Sequence, residues 1–305
     1  MAGSATERLI GVDLGGTKIE GAVLDADGRT VVRRRIPTEQ QGGYDHVLDR
    51  IAVLVGELRE HAPAAEQIGI GTPGALTAAG TLKNSNTVCL NGRPLAADLE
   101  AKLGLGVAIE NDANCFALAE ARAGSGRGHE LVFGVILGTG VGGGIVFRGS
   151  LWPGPQHIAG EWGHHSIDPN GPDCYCGQRG CVETLVSGPA LERAYREAGG
   201  APADAAEIAG RAARGEPIAA AVLDRWIERF GRALANLIAI LDPSVVVLGG
   251  GLSNLDALYD RGRAAVARLI FNDELRTPIV RNALGDSAGV LGAALLVDPT
   301  AARRA

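Results

Sequence analysis

Residues 11–23 read Gly11-Val-Asp13-Leu-Gly15-Gly16-Thr17-Lys18-Ile-Glu20-Gly-Ala-Val23, and residues 134–146 read Gly134-Val-Ile-Leu-Gly138-Thr139-Gly140-Val-Gly142-Gly-Gly-Ile-Val146. The two stretches align without gaps. Each reads as an apolar strand, a glycine-rich turn and a second strand. The pattern fits either two independent glycine hairpins or a duplicated lobe in which each copy presents one hairpin to a phosphate. A third turn, Gly249-Gly250-Gly251, follows the apolar run 244–248 and precedes a helical pattern. Glycines let backbone approach a ligand closely, and successive N–H groups in such turns attract anions. Three of them at strand ends suit a cleft that holds a polyphosphate.

Outward from these turns, the chain alternates strand and helix signals, an α/β pattern. Asp27-Gly28 marks a hairpin between the second and third strands. Val47, Leu48, Ile51, Leu54, Val55 and Leu58 recur at helical spacing, and 67–72 reads as a short apolar strand closed by Pro73-Gly74. Further helices are expected at 94–103, 112–123, 188–197, 203–214, 217–241, 255–270 and 287–296. Strands are expected at 107–110, 131–137, 143–148, 244–248 and 279–280.

At 305 residues and net charge −6, the chain has room for two lobes and no charge bias towards nucleic acid or anionic membranes. No apolar run is long enough to span a bilayer, and the first residues lack the pattern of a signal peptide. A cytoplasmic protein is expected, in which the five cysteines are thiols or metal ligands rather than disulfides. Only Lys18, Lys83 and Lys102 are lysines, so each one draws attention.

In Asp13–Lys18 an acid, a hydroxyl and a scarce lysine surround two glycines. Asp13 is suited to hold magnesium through water, and Thr17 and Lys18 to contact phosphate oxygens. Neither the P-loop nor the dinucleotide fingerprint fits, because their spacing and following helix are missing. Glu110-Asn111-Asp112-Ala-Asn114 comes straight after a strand and opens a helix. Asp or Asn there serves either as an N-cap or, facing a cleft, as the acceptor of a sugar hydroxyl proton. A cap accounts for one of these polar residues, not all of them.

The segments 13–18 (DLGGTK), 110–121 (ENDANCFALAEA), 137–144 (LGTGVGGG), 160–164 (GEWGH) and 174–184 (CYCGQRGCVET) together resemble the ROK family of sugar kinases, repressors and open reading frames. The resemblance runs from about Ile10 to Leu296, with the motifs in the family's order. It implies a two-lobed actin-like, hexokinase-like ATPase fold built from duplicated ribonuclease H-like domains. The smaller lobe would take residues 1–120, with a C-terminal helix at 286–305 packing back on it. The larger would take 121–285, with a zinc loop at 161–183. Gly11, Asp13, Gly15, Gly16, Thr17 and Lys18 would form the first phosphate hairpin, Gly138, Thr139, Gly140 and Gly142 the second. Gly249, Gly250 and Gly251 would lie on the adenosine side. Asn111 and Asp112 match the sugar-binding pair, with Asp112 as catalytic base. Gly74, Glu161, His164 and Glu183 would line the sugar. The implied cofactors are ATP, Mg2+ and a structural Zn2+, the partners a small sugar and a second copy in a homodimer.

Cys174, Cys176 and Cys181 have a C-x-C-x4-C spacing with glycines between them, fit for a short loop around one ion. Free thiols and a disulfide are the other readings. Three thiolates and an imidazole would close a tetrahedral zinc site with no position for water. In the family the histidine of Glu-x-x-His supplies that imidazole, which selects His164 over His165. Its remaining ring nitrogen would then donate to a sugar hydroxyl, so the metal shapes the pocket while Asp112 carries the chemistry.

Family repressors carry a DNA-reading domain ahead of the first hairpin. Asp13 stands a dozen residues from Met1, so a kinase is expected. The segment 82–99 with 160–165 and 174–188 looks most like bacterial fructokinases, giving fructose 6-phosphate. N-acetylglucosamine is the alternative substrate and glucose a further one. N-acetylglucosamine kinases share 111–118 and 137–144 but more often carry Phe at the position of Trp162. Thr72, where many relatives have Ile or Val, lies in a turn near the sugar. Trp152 and Trp162 are expected to pack, Cys89 and Cys115 to be structural, His129 and His157 to lie in loops, and Arg33–Arg35 to form a solvated strand face.

Overall fold

The computed structural model describes residues 8–77 and 79–298. The first half runs β1 (Leu9–Leu14), β2 (Lys18–Leu24), β3 (Thr30–Pro37), α1 (Tyr44–Arg59), β4 (Gln67–Thr72), the two-residue strands β5 (Ala75–Leu76) and β6 (Leu82–Lys83), α2 (Leu95–Leu103) and β7 (Gly106–Asn111). The second half runs α3 (Asp112–Ala123), β8 (Leu131–Leu137), β9 (Val141–Phe147), β10 (Ser150–Leu151), α4 (Val182–Val186), α5 (Gly188–Glu197), α6 (Ala205–Ala213), α7 (Pro217–Leu241), β11 (Val245–Gly249), α8 (Arg261–Leu269), β12 (Ile279–Arg281) and α9 (Ala288–Leu295).

Two five-stranded sheets result, in the orders β3-β2-β1-β4-β7 and β10-β9-β8-β11-β12. In each, an antiparallel hairpin (β1–β2, β8–β9) supplies the central strand, and parallel strands follow on its far side. The duplication read from the two glycine hairpins is therefore present in the sheets themselves, and the fold is the two-lobed actin-like one.

Central strands are covered on both faces, which is why they read as continuous apolar runs. In β8, Phe133, Val135 and Leu137 enter the core shared with α7, while Val132 enters the one shared with α3. β11 does the same with Val246 and Leu248 on one side and Val245 and Val247 on the other. On α1 the buried residues are the six apolar positions that sequence periodicity picks out. The expected helix at 255–270 is instead a 3-10 turn, 256–258, followed by α8, because Asp260 caps a new start at Arg261.

α3 lies on β8 and β9, α9 lies on β1 and β4, and the two helices pack against each other between the sheets. Glycine makes this sandwich thin enough. A Cβ on Gly69 would stand 1.8 Å from the Ala293 carbonyl oxygen, and one on Gly11 2.3 Å from that of Val290. Of the helix expected over 286–305, the structure describes Ala288–Leu295 as α-helix, and residues 299–305 lie outside the described residues.

Arg33 and Arg35 are not simply solvated. Both pair with Glu20, a carboxylate that is almost fully buried across the strand from Asp13.

Candidate active site and thiol cluster

Asp13, Thr72 and Asn111 stand at or next to the carboxyl ends of three neighbouring strands, where open α/β sheets place their ligands. The first hairpin turns over Gly15-Gly16-Thr17, closed by a bond from Gly15 N to Lys18 O of 3.0 Å and braced by Thr38, whose Oγ1 donates to Gly15 O at 2.6 Å. Thr17 and Lys18 are exposed at its tip. The second turns over Gly138-Thr139-Gly140, with Thr139 exposed and Gly138 O accepting from Gly188 N at 2.9 Å.

Not every expected phosphate glycine sits at a turn. Gly11 is in the middle of β1 beneath α9, and Gly142 lies within β9 against Ala113, its carbonyl accepting from Trp162 Nε1 at 2.8 Å. Gly249 is buried where a Cβ would meet the Phe116 ring at 2.4 Å. Their lack of a side chain serves packing. Gly250 takes a φ of +79° against the Leu137 carbonyl, and only Gly251 faces open space.

Asn111 is the N-cap of α3: its Oδ1 accepts from Ala113 N at 2.8 Å, and its Nδ2 donates to Gly74 O at 2.8 Å. Gly74 adopts φ +95° with Lys83 O pressed close behind it, so the turn expected near the sugar is tied to the strand–helix junction. Glu110 is likewise occupied, accepting from Asn111 N and Asn114 Nδ2. Asp112 Oδ1 accepts from Ala113 N at 2.8 Å. Burial pushes the Asp112 carboxyl up from its ordinary value, with the Ala113 amide pulling it part of the way back. Asp13 is pushed up to about 6, by burial first and then by the charges of Asp112 and Glu20.

Glu161 belongs to the same field. Burial pushes its carboxyl up, Asp112 and Glu183 add to this, and His164 and Lys83 oppose it. Glu183 accepts from Val141 N at 2.9 Å, which ties the end of the cysteine loop to the second glycine turn. Thr87 and Asn86 lie beside Gly16, at 3.6 and 3.4 Å from where its Cβ would be. The Thr87 Oγ1 is buried without a partner among the described residues. Sequence reading passed over Thr87 in a run of small polar residues, and singled out Lys83 for its scarcity without giving it a role. Thr72 is buried and its Oγ1 donates to Pro73 O at 3.3 Å.

His164, Cys174, Cys176 and Cys181 each bring a ligand atom within 4.8 Å of the others. Cys174 Sγ lies 3.5 Å from His164 Nδ1, and Cys176 Sγ lies 3.6 Å from Cys181 Sγ. These match the edges, about 3.6 and 3.8 Å, of a tetrahedron with zinc-like bond lengths, and the soft N/S donor set fits the same ion. All five cysteines are free. Burial pushes Cys181 up to about 12, while the Gln178 amide draws Cys176 down. His165 is exposed and turned away from the cluster. Trp162 is a core residue, edge-on to Phe133 at 6.1 Å, whereas Trp152 is 57% exposed rather than packed. No helix among the described residues is long and apolar enough to cross a membrane.

The sequence profile of the ROK family matches residues 9–300. An N-acetyl-D-glucosamine kinase of Photobacterium profundum is 40% identical over 94% of this chain and 98% of its own. Among solved structures, a ROK hexokinase from Thermus thermophilus superimposes with a TM-score of 0.86 at 36% identity, covering 94% of this chain and 97% of that one. A ROK family glucokinase from Streptomyces griseus, in complex with glucose and AMPPNP, superimposes at 0.77 and 32% identity, covering 95% and 98%. With a family match over nearly its whole length and relatives that align end to end, the chain belongs to the ROK family.

Proposed function

We propose that this sugar kinase transfers the γ-phosphate of MgATP to a hydroxyl of N-acetyl-D-glucosamine, with Asp112 as general base. The observation that carries the mechanism is the half-buried Asp112 carboxyl at the β7–α3 junction, in one field with Glu161 and Glu183. A carboxylate whose pKa is raised by burial is a stronger proton acceptor than one in water. Asp112 would take the hydroxyl proton as that oxygen attacks phosphorus. Asn111, Glu161, His164, Glu183, Gly74 and Thr87 would orient the sugar. The turns at 15–17 and 138–140, with Lys18 and Thr139, would cradle the phosphates, and Asp13 would hold magnesium. A bound magnesium ion neutralises charge on the transferring phosphoryl group.

N-acetylglucosamine replaces fructose as the preferred reading. The fructose expectation finds no support among the relatives, and the feature that spoke against N-acetylglucosamine was Trp162. That side chain packs on Phe133 and bonds Gly142 O, so its identity reports core packing rather than sugar choice. The His164–Cys cluster would hold zinc in a structural role. The two sheets would act as lobes, and with α3 packed on β8 and β9 the division would fall at the Asn111–Asp112 junction rather than at residue 120. A panel of N-acetylhexosamines and hexoses with MgATP, ranked by kcat/KM, tests the reading. N-acetylglucosamine should lead, and fructose in first place would overturn it.

A further inference from the structure

Tyr175 sits between two of the clustered cysteines and is 74% exposed. Its ring stands edge-on to His164 with centroids 5.0 Å apart, and its hydroxyl turns inward to lie 2.9 Å from His164 Nε2. His164 Nδ1 faces Cys174 Sγ, so with a metal held by the cluster through Nδ1 the ring proton would sit on Nε2, which would donate. This is the nitrogen left for a sugar hydroxyl. We propose that the Tyr175 hydroxyl is a removable stand-in for that sugar hydroxyl: it keeps His164 oriented with Nε2–H as donor until a sugar displaces it.

The loose seating of the ring supports this. The ring is held by little else: most of it is in water, and its hydroxyl makes one hydrogen bond, to His164. Displacement therefore breaks one neutral bond, and the phenol regains a water partner outside. Tyr175 is thus a positioning residue that competes with substrate.

The inference rests on the sugar-kinase reading, and one experiment separates the two. Calorimetric titration of zinc-loaded wild type, Tyr175→Phe and Tyr175→Ala with N-acetylglucosamine, glucose, mannose and fructose, without nucleotide, measures the competition directly. Both variants should bind the preferred sugar about three- to tenfold more tightly, the range expected for losing one competing hydrogen bond. KM should fall with kcat unchanged, at equal zinc content. Equal or weaker binding by both variants, with wild type still binding sugar, overturns this proposal alone. A wild type that binds none of these sugars overturns the sugar-site reading and this proposal with it.

Discussion

Asp13 carries an electrostatic cost that the fold imposes. Its carboxyl rises from 3.8 to about 6 because burial and the neighbouring charges of Asp112 and Glu20 disfavour ionisation. Between those values the folded protein keeps a proton that the unfolded chain has released, so stability falls as pH rises through the window. Asp13→Asn never ionises. It should melt above wild type at pH beyond about 6, and the gap should close below about 4. Thermal scans across this range check the sign; a gap that persists at low pH would assign the effect to packing. Activity should drop in the same variant, since the carboxylate proposed to hold magnesium is gone. For Asp112→Asn, kcat should fall by about 10²- to 10⁴-fold with sugar affinity nearly intact. Steady-state kinetics beside a binding titration separates these, and a mild loss of kcat would move the base elsewhere.

At the scale of elements, the thiol loop shows how little local chain is needed to shape a pocket wall. Cys174 and Cys181 are buried while Cys176 is exposed, and α4 starts one residue after Cys181, carrying Glu183 back to the second glycine turn. Cys176→Ser should leave less than one zinc per chain and lower the melting temperature, by metal analysis and calorimetry; full zinc occupancy would remove Cys176 from the ligand set. Elements whose character is local were legible from sequence. α7 spans the expected residues because Pro217 opens it and one apolar stripe runs to Ile238, and β4 and β8 match because both of their faces are apolar. What was missed depends on long-range contact. Glu20 looks like an ordinary polar strand residue until Arg33 and Arg35 close on it from the next strand. Thr87 gains meaning only from its place beside Gly16, and Tyr175 only from the ring of His164. The apolar rhythm of 255–270 continues through the break at Asp260, so periodicity alone could not divide it. The glycine runs are ambiguous in the opposite way, because packing against α9 or Phe116 demands the same residue as a phosphate turn.

For the whole molecule, the joint between the halves has its own buried anchor. Glu120 on α3 is fully buried and accepts from Ser125 N at 2.8 Å, Leu284 N at 2.9 Å and Ala283 N at 3.1 Å. It fixes the start of the return segment that leads into α9. Glu120→Ala strands these donors and should cost about 2–4 kcal/mol, read as a lower urea midpoint, while Glu120→Gln should lose less. A neutral Glu120→Ala would show that the return segment finds other partners. The chain crosses from the first sheet to the second at Asn111–Asp112 and returns through 281–288, beside the packed pair α3 and α9. That pair is the spine of a book whose covers are the two sheets. Points near a rotation axis travel least, so if the covers open, the outlying glycine turns would swing widely while Asp112, bound into the spine, would hardly move. The base proposed there would then keep its aim as the covers open and close, and product could leave without the reaction centre being taken apart.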